Sequence, residues 1–192
     1  MLLLARRGAQ QGPEVLAANG ILFQIFMLST LIVDGFESAA QVLCGEAKGA
    51  RDRRLFVSVL WTSLGWALLT GAVIAICYLA AGKALAESFS TNADVTSIAT
   101  SYVGWMSLLA VLGVFASVFD GVFVGAGWTR AMLVTMAAAM AVYIAALYLG
   151  APLGNAGLWL AFSLLFVVRP AGQIYLLPRL MRRDLSQPIN RG

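Results

Sequence analysis

Charge-free runs of this length leave the chain few ways to fold. No charged residue falls between Leu55 and Gly82, and none between Ala131 and Val168. From Val95 to Thr129 there is a single one, Asp120, and from Leu16 to Gly45 there are two, Asp34 and Glu37. A helix rises about 1.5 Å per residue and a hydrocarbon layer is about 30 Å thick, so roughly 20 apolar residues cross it. Every one of these runs is long enough. Composition points the same way: 11% of residues are charged and 60% are apolar, where soluble domains carry about 25% charged residues. The lipid bilayer is the expected surrounding.

The runs divide at their polar breaks. Lys48 to Arg54, KGARDRR, is the densest basic cluster and separates the first run from the second. Lys83 to Asp94 is a polar connection, with Thr91 and Asp94 spaced as a capping box that opens the next helix. Gly150-Ala-Pro-Leu-Gly-Asn-Ala-Gly157 is a turn-forming cluster that splits the last long run. The expected fold is all-α and integral to a membrane, with five transmembrane helices at about 16–45, 55–82, 95–127, 131–149 and 158–180. Ahead of them, residues 1–15 open on MLLLARR, whose order of apolar residues before charge is the reverse of a signal peptide. This segment reads as the remnant of a preceding span followed by an external loop. Residues 184–192 read as a cytoplasmic tail.

Short loops rich in Lys and Arg stay on the cytoplasmic side. If five spans alternate, Lys48, Arg51, Arg53, Arg54, Arg130, Arg179, Arg182, Arg183 and Arg191 share one side, against Arg6, Arg7 and Lys83 on the other. The C-terminus is therefore expected in the cytoplasm. Cys44 and Cys77 would sit at opposite ends of their spans, far beyond the ~7 Å Cα separation a disulfide tolerates, and both read as small packing residues.

Polar groups at membrane depth carry the functional expectation. An ionised side chain at the centre of a span costs about 2.5–3.5 kcal/mol on the insertion scale, so it needs a partner, water or a proton. Asp34, Glu37, Ser38, Gln41 and Gly45 follow the i, i+3, i+4 steps of one helix face and read as a polar stripe turned inward. Ile32, Val33, Phe36 and Leu43 are left for lipid or neighbouring helices. Counted from the basic ends of their spans, Asp34, Asp120 and Arg169 lie at depths that agree to within roughly 6 Å. Arg169 is thus an expected ion partner for Asp120 or Asp34, either as a static pair or beside a cavity that exchanges protons or binds cations. Pro170 removes a backbone hydrogen bond next to it and should kink the last span. Gly121–Gly125 and Gly45–Gly49 have the small-xxx-small spacing of close helix contacts. Gln24, Tyr102 and Trp105, together with Thr62 and Tyr143, are candidates to line a cavity for an amphipathic cation, or else to serve packing.

Several classes of function are disfavoured. Histidine is absent and there are two cysteines, so no metal site is expected. The net charge of +4 sits in short inter-span loops and does not suggest nucleic acid. The Asp34-Gly35 pair within a span is reminiscent of the CDP-alcohol phosphotransferases. However, Ser38-Ala39 stands where that motif requires Ala-Arg, and its further aspartates are missing from the helix. No enzymatic activity is expected.

The runs Ala17-Ala-Asn-Gly-Ile21, Asp34-Gly-Phe36 and Gly45-Glu-Ala-Lys-Gly-Ala-Arg-Asp52 resemble the eighth span and following loop of DinF-type MATE transporters, the multidrug and toxic compound extrusion antiporters. Asp120-Gly-Val-Phe-Val-Gly-Ala-Gly-Trp-Thr-Arg130 is similar to the motif closing the tenth span of that subgroup, and Arg169 resembles an arginine of the last span. The resemblance runs from about Leu2 to Arg183, in order and spacing. It implies a C-terminal lobe, 16–183, comprising most of a six-helix bundle whose N-terminal lobe is missing. It implies a multi-pass protein of a bacterial plasma (inner) membrane that exports small organic or xenobiotic compounds, cationic ones included, in exchange for H⁺ or Na⁺, without a cofactor. The transport and cation-coupling candidates, read from their polar character at membrane depth, are Asp34, Glu37, Gln41, Asp120 and Arg169, and the resemblance implies that the lobe is inactive alone. An inert truncated product, or a structural membrane partner, is the alternative. The sequence departs from the family pattern at four places. Glu37 stands for a small residue, Gln41 for a carboxylate, Glu46 for a glutamine, and Ala131 for the acid that follows Thr-Arg.

Overall fold

The computed structural model describes residues 12–185. The expectations for Arg6, Arg7 and Arg191, and most of those for the leading segment and the tail, fall outside it. The helices are α1 (Pro13–Gly49), α2 (Arg53–Phe89), α3 (Ala93–Ser101), α4 (Val103–Gly125), α5 (Thr129–Leu149) and α6 (Gly154–Leu185), with a 3₁₀ turn at Ala151–Leu153 before α6. Five helices are long and apolar enough to cross a membrane, α3 being the exception. No strand occurs among the described residues.

The elements follow from local chemistry. Pro13 occupies the first turn of α1, where its missing N–H is harmless. Asp52 caps α2 by accepting from the Leu55 amide at 2.9 Å. The cap of α3 is Asn92, whose Oδ1 accepts from the Asp94 amide at 2.9 Å, and not Thr91. The asparagine reaches those amides in an extended conformation that opens the helix one residue later than the capping-box spacing suggests. The stretch 95–127, read as one span, is broken at Tyr102, which ends α3 and starts α4. The hydroxyls of Thr96 and Thr100 both bond back to carbonyls four residues earlier, a habit that competes with the helical ladder.

Successive long helices alternate between two poles. One pole, rich in Lys and Arg, holds the α1–α2 and α4–α5 connections and the end of α6. The opposite pole holds the α2–α3 connection and the turn before α6. Helix α4 is central, packing on α1, α2 and α6. Of its most apolar 18-residue window 61% is buried, against 22–39% in the other four spans. It earns that place with small residues where neighbours approach. A Cβ on Gly121 or Gly125 would run into the backbone carbonyls of Glu37 and Gln41 on α1, and one on Gly45 would come within 3.1 Å of the Gly125 carbonyl oxygen. The Gly121–Gly125 spacing therefore forms a helix contact. Gly45–Gly49 does so only at Gly45, since Gly49 faces open space at the end of α1.

The core has two parts along the bundle axis. Toward the opposite pole Phe26, Trp159, Phe162 and Tyr143 pack together, and Phe26 meets Phe162 edge-on at 5.7 Å. Toward the basic pole Val33, Ala40, Cys44, Phe56 and Phe123 pack. Cys44 is buried and Cys77 exposed, both as free thiols.

Candidate functional site

At the centre of the bundle lies one charged cluster. Asp120 on α4 is 4% exposed and forms an ion pair with the guanidinium of Arg169 on α6. Gln173, one turn further along α6, is fully buried and donates from Nε2 to Asp120 Oδ1 at 2.8 Å. Arg169 and Gln173 are four residues apart, so they lie on one face of α6 and clamp the same carboxylate. Among the described residues, Arg169 Nε and Gln173 Oε1 are buried without a hydrogen-bond partner. Pro170, which falls between them in sequence, is buried. Lacking an N–H, it leaves the Phe166 carbonyl outside the helical ladder, although α6 continues through Pro170 and Pro178 as one helix. A buried carboxylate with a guanidinium and an amide around it, open valences on two of its partners, and a freed carbonyl one turn away is a polar centre inside an otherwise apolar bundle.

The stripe on α1 is arranged otherwise than the sequence suggests. Asp34, Ser38 and Gln41 are exposed, and Glu37 is half-buried. The side chains that α1 buries here are instead Val33, Ala40, Cys44 and Ala47, while the backbone of Glu37, Gln41 and Gly45 lies against Gly121 and Gly125 of α4. The glycines of α4 let the α1 backbone come this close, and the side chains of Asp34, Ser38 and Gln41 lie outside that contact. Ile32 and Leu43 are exposed and Val33 is buried against neighbouring helices, both outcomes the expectation allowed. Glu37 stands at the edge, its backbone against Gly121 and its carboxylate in the field of Asp120, Asp34 and Arg169. Arg169 thus pairs with Asp120 and not Asp34.

The cavity candidates are not gathered. Gln24 and Thr62 are exposed on α1 and α2, Tyr143 is buried, and Tyr102 and Trp105 are half-buried against the aromatic core. A cleft of 840 Å³ at the opposite pole is lined by Lys83, Glu87, Thr91, Ser97 and Thr100, and by none of those five candidates.

Two polar clusters were not anticipated. Asn19 and Asn155 exchange hydrogen bonds of 2.7 and 3.0 Å across the opposite pole, and Trp159 Nε1 donates to Asn19 Oδ1 at 3.1 Å. At the basic pole Asp184 takes an ion pair from Lys48 at 2.9 Å and a hydrogen bond from Trp128 Nε1 at 2.8 Å. Lys48 also donates to the Ala126 carbonyl. The Lys48 ammonium lies 5.6 Å from the centre of the Trp128 ring. The only sequence signals were one asparagine in the apolar run of α1 and one lysine and one tryptophan inside the two glycine-rich segments.

Five apolar helices packed around a buried charge pair define a multi-pass membrane protein. Residues 2–149 match the MatE family, and the chain belongs to that family. It is 29% identical over 162 residues to DNA damage-inducible protein F of Escherichia coli (strain K12), covering 84% of this chain and 35% of that protein. To Protein DETOXIFICATION 42 of Arabidopsis thaliana it is 26% identical over 172 residues, covering 88% of this chain and 33% of that one. The chain therefore spans about a third of the length of the relatives it matches. A solved structure of a MOP superfamily transporter from Pyrococcus furiosus shares the fold, with a TM-score of 0.69 at 24% identity over 92% of this chain and 40% of the other.

Proposed function

We propose that the chain is the C-terminal lobe of an exporter of small organic compounds, driven by exchange for H⁺ or Na⁺ and active only with a second, N-terminal lobe. The observation that carries this reading is the buried Asp120–Arg169–Gln173 cluster on the central helix. An apolar bundle needs no charge at its centre for stability, because a well-packed hydrophobic replacement of a buried ion pair is often neutral or stabilising. Charges kept at membrane depth mark pathways for ions and substrates.

The chain's own residues suggest the cycle. A proton or Na⁺ taken up at Asp120 cancels the charge that holds Arg169. The guanidinium is then drawn to the remaining carboxylate in its field, Glu37, on the rim of α1. Gln173 keeps Asp120 oriented in both states. Because Glu37 and Gln41 sit on the backbone contacts with Gly121 and Gly125, a shift of charge between α4 and α1 bears directly on how the two helices seat. The exposed stripe Asp34, Ser38 and Gln41 faces the cleft that the second lobe completes, so that an organic cation meets carboxylates on one wall. Alternating access then comes from two bundles rocking about that cleft. The basic pole is cytoplasmic in this reading, following the loop charges.

The test is reconstitution into vesicles beside a co-expressed N-terminal lobe, with efflux of a fluorescent organic cation driven by a pH or Na⁺ gradient. Efflux is expected with both lobes, absent with this chain alone, and abolished by Asp120→Asn. Efflux that survives Asp34→Asn and Asp120→Asn together removes these carboxylates from the mechanism.

A further inference from the structure

We propose that the groove between the start of α5 and the end of α6 binds one anionic phospholipid, its phosphodiester at the basic pole and an acyl chain along the groove floor. The groove encloses 490 Å³ and is lined by Thr129, Arg130 and Arg183 at the pole and by Val134, Leu176 and Leu180 below them. Val134 lies one helical turn inward of Arg130, and Leu176 two turns inward of Arg183. The apolar floor therefore descends roughly 6–10 Å into the hydrocarbon from a cationic rim. An inorganic anion has no use for that floor, and an apolar chain alone has no use for the rim.

The charge around the rim is unbalanced in the direction a phosphodiester requires. Asp184 is the only acid at this corner among the described residues' ion pairs, and it already receives both Lys48 and Arg183, at 2.9 and 2.7 Å. With Arg130 added there are three cations to one anion, an excess of two positive charges. The start of α5 reinforces this. Its cap residue is Trp128, which supplies no side-chain acceptor, and its first intrahelical bond is made only by the Met132 amide. The amides of Thr129, Arg130 and Ala131 precede that bond and lie beside the groove, where an anion is favoured. Basic pockets between membrane helices at the headgroup level take anionic lipid heads by the same chemistry.

The experiment uses the full chain in nanodiscs and a phosphatidylglycerol carrying a photoreactive group in its acyl chain, with a phosphatidylcholine of identical chains as comparison. The proposal expects cross-links on the peptides containing Val134 and Leu176 with phosphatidylglycerol and few with phosphatidylcholine. Each arginine near an anionic headgroup should contribute about five-fold, so Arg130→Gln with Arg183→Gln should lower the cross-link yield about thirty-fold. Val134→Trp keeps both arginines and fills the groove from a lipid-facing position that leaves the core intact. It should displace the label by itself, and it decides the matter if the arginine variant does not fold. Equal labelling by the two lipids would overturn the proposal, as would unchanged labelling in Val134→Trp. So would competition by inorganic phosphate as effective as that by unlabelled phosphatidylglycerol, since the site would then be one for a free anion.

Discussion

Replacing Asp120 with asparagine should destabilise the lobe more than any surface change, and a second substitution at Arg169 should add little further loss. The carboxylate is 6% and the guanidinium 20% exposed at the side chain. The single variant leaves Arg169 inside the bundle with no carboxylate in contact and Gln173 with a changed partner. Removing one member of a buried pair typically costs 3–5 kcal/mol. A fifth of the Arg169 side chain is exposed and Glu37 lies within its field, so the expected loss is at the low end, about 3 kcal/mol. Arg169→Gln strands the more deeply buried carboxylate and should cost about the same. In Asp120→Asn/Arg169→Gln no charge is left unpaired, so the double variant should lose about 3 kcal/mol in place of the roughly 6 expected from additivity. The assay is reversible denaturant unfolding in mild detergent, followed by tryptophan fluorescence, with the four proteins compared in one double-mutant cycle. Strict additivity, or an Asp120→Asn lobe as stable as the parent, would refute the claim that these groups neutralise each other in the core.

Gly125→Val should force α1 from α4, because a side chain there meets the Gln41 backbone, and should lower the unfolding midpoint by the equivalent of about 1–3 kcal/mol. The control is Gly65→Ala, where a Cβ meets nothing within 4 Å; it should be neutral or stabilising by up to about 1 kcal/mol. Asn19→Ala strands the Asn155 amide and the Trp159 indole N–H and should cost about 1–3 kcal/mol, with a shift in Trp159 emission that a surface mutation would not give. Asp184→Asn should loosen the basic pole, seen as faster hydrogen exchange in residues 126–130 with α2 unchanged. A small apolar maleimide should label Cys77 in the native lobe and Cys44 only after unfolding; early modification of Cys44 would contradict its burial.

Much of the architecture was legible because a bilayer imposes a length and a polarity on whatever crosses it. The charge-free runs within α2 and α5, and the stretches of α1, α4 and α6 broken by only one or two charges, leave five apolar helices as the outcome, whatever their neighbours. Depth along a span is also a one-dimensional quantity, and so the levels of Asp120 and Arg169 already placed them within reach of each other. Which way a face points is different. Helical periodicity groups Asp34, Ser38 and Gln41 on one side of α1, but only the tertiary packing decides that these side chains stay outside the described bundle. The joining of Asn19 to Asn155 and the meeting of Lys48, Trp128 and Asp184 depend on residues far apart in the chain. Such contacts leave no periodic trace, because a single polar residue in an apolar run looks the same whether or not a partner waits across the interface. Sequence alone showed how many of the described helices are long and apolar enough to cross a bilayer and at what level along them the charges lie. Tertiary packing alone chose their partners, since the energy of a buried charge is set by what surrounds it.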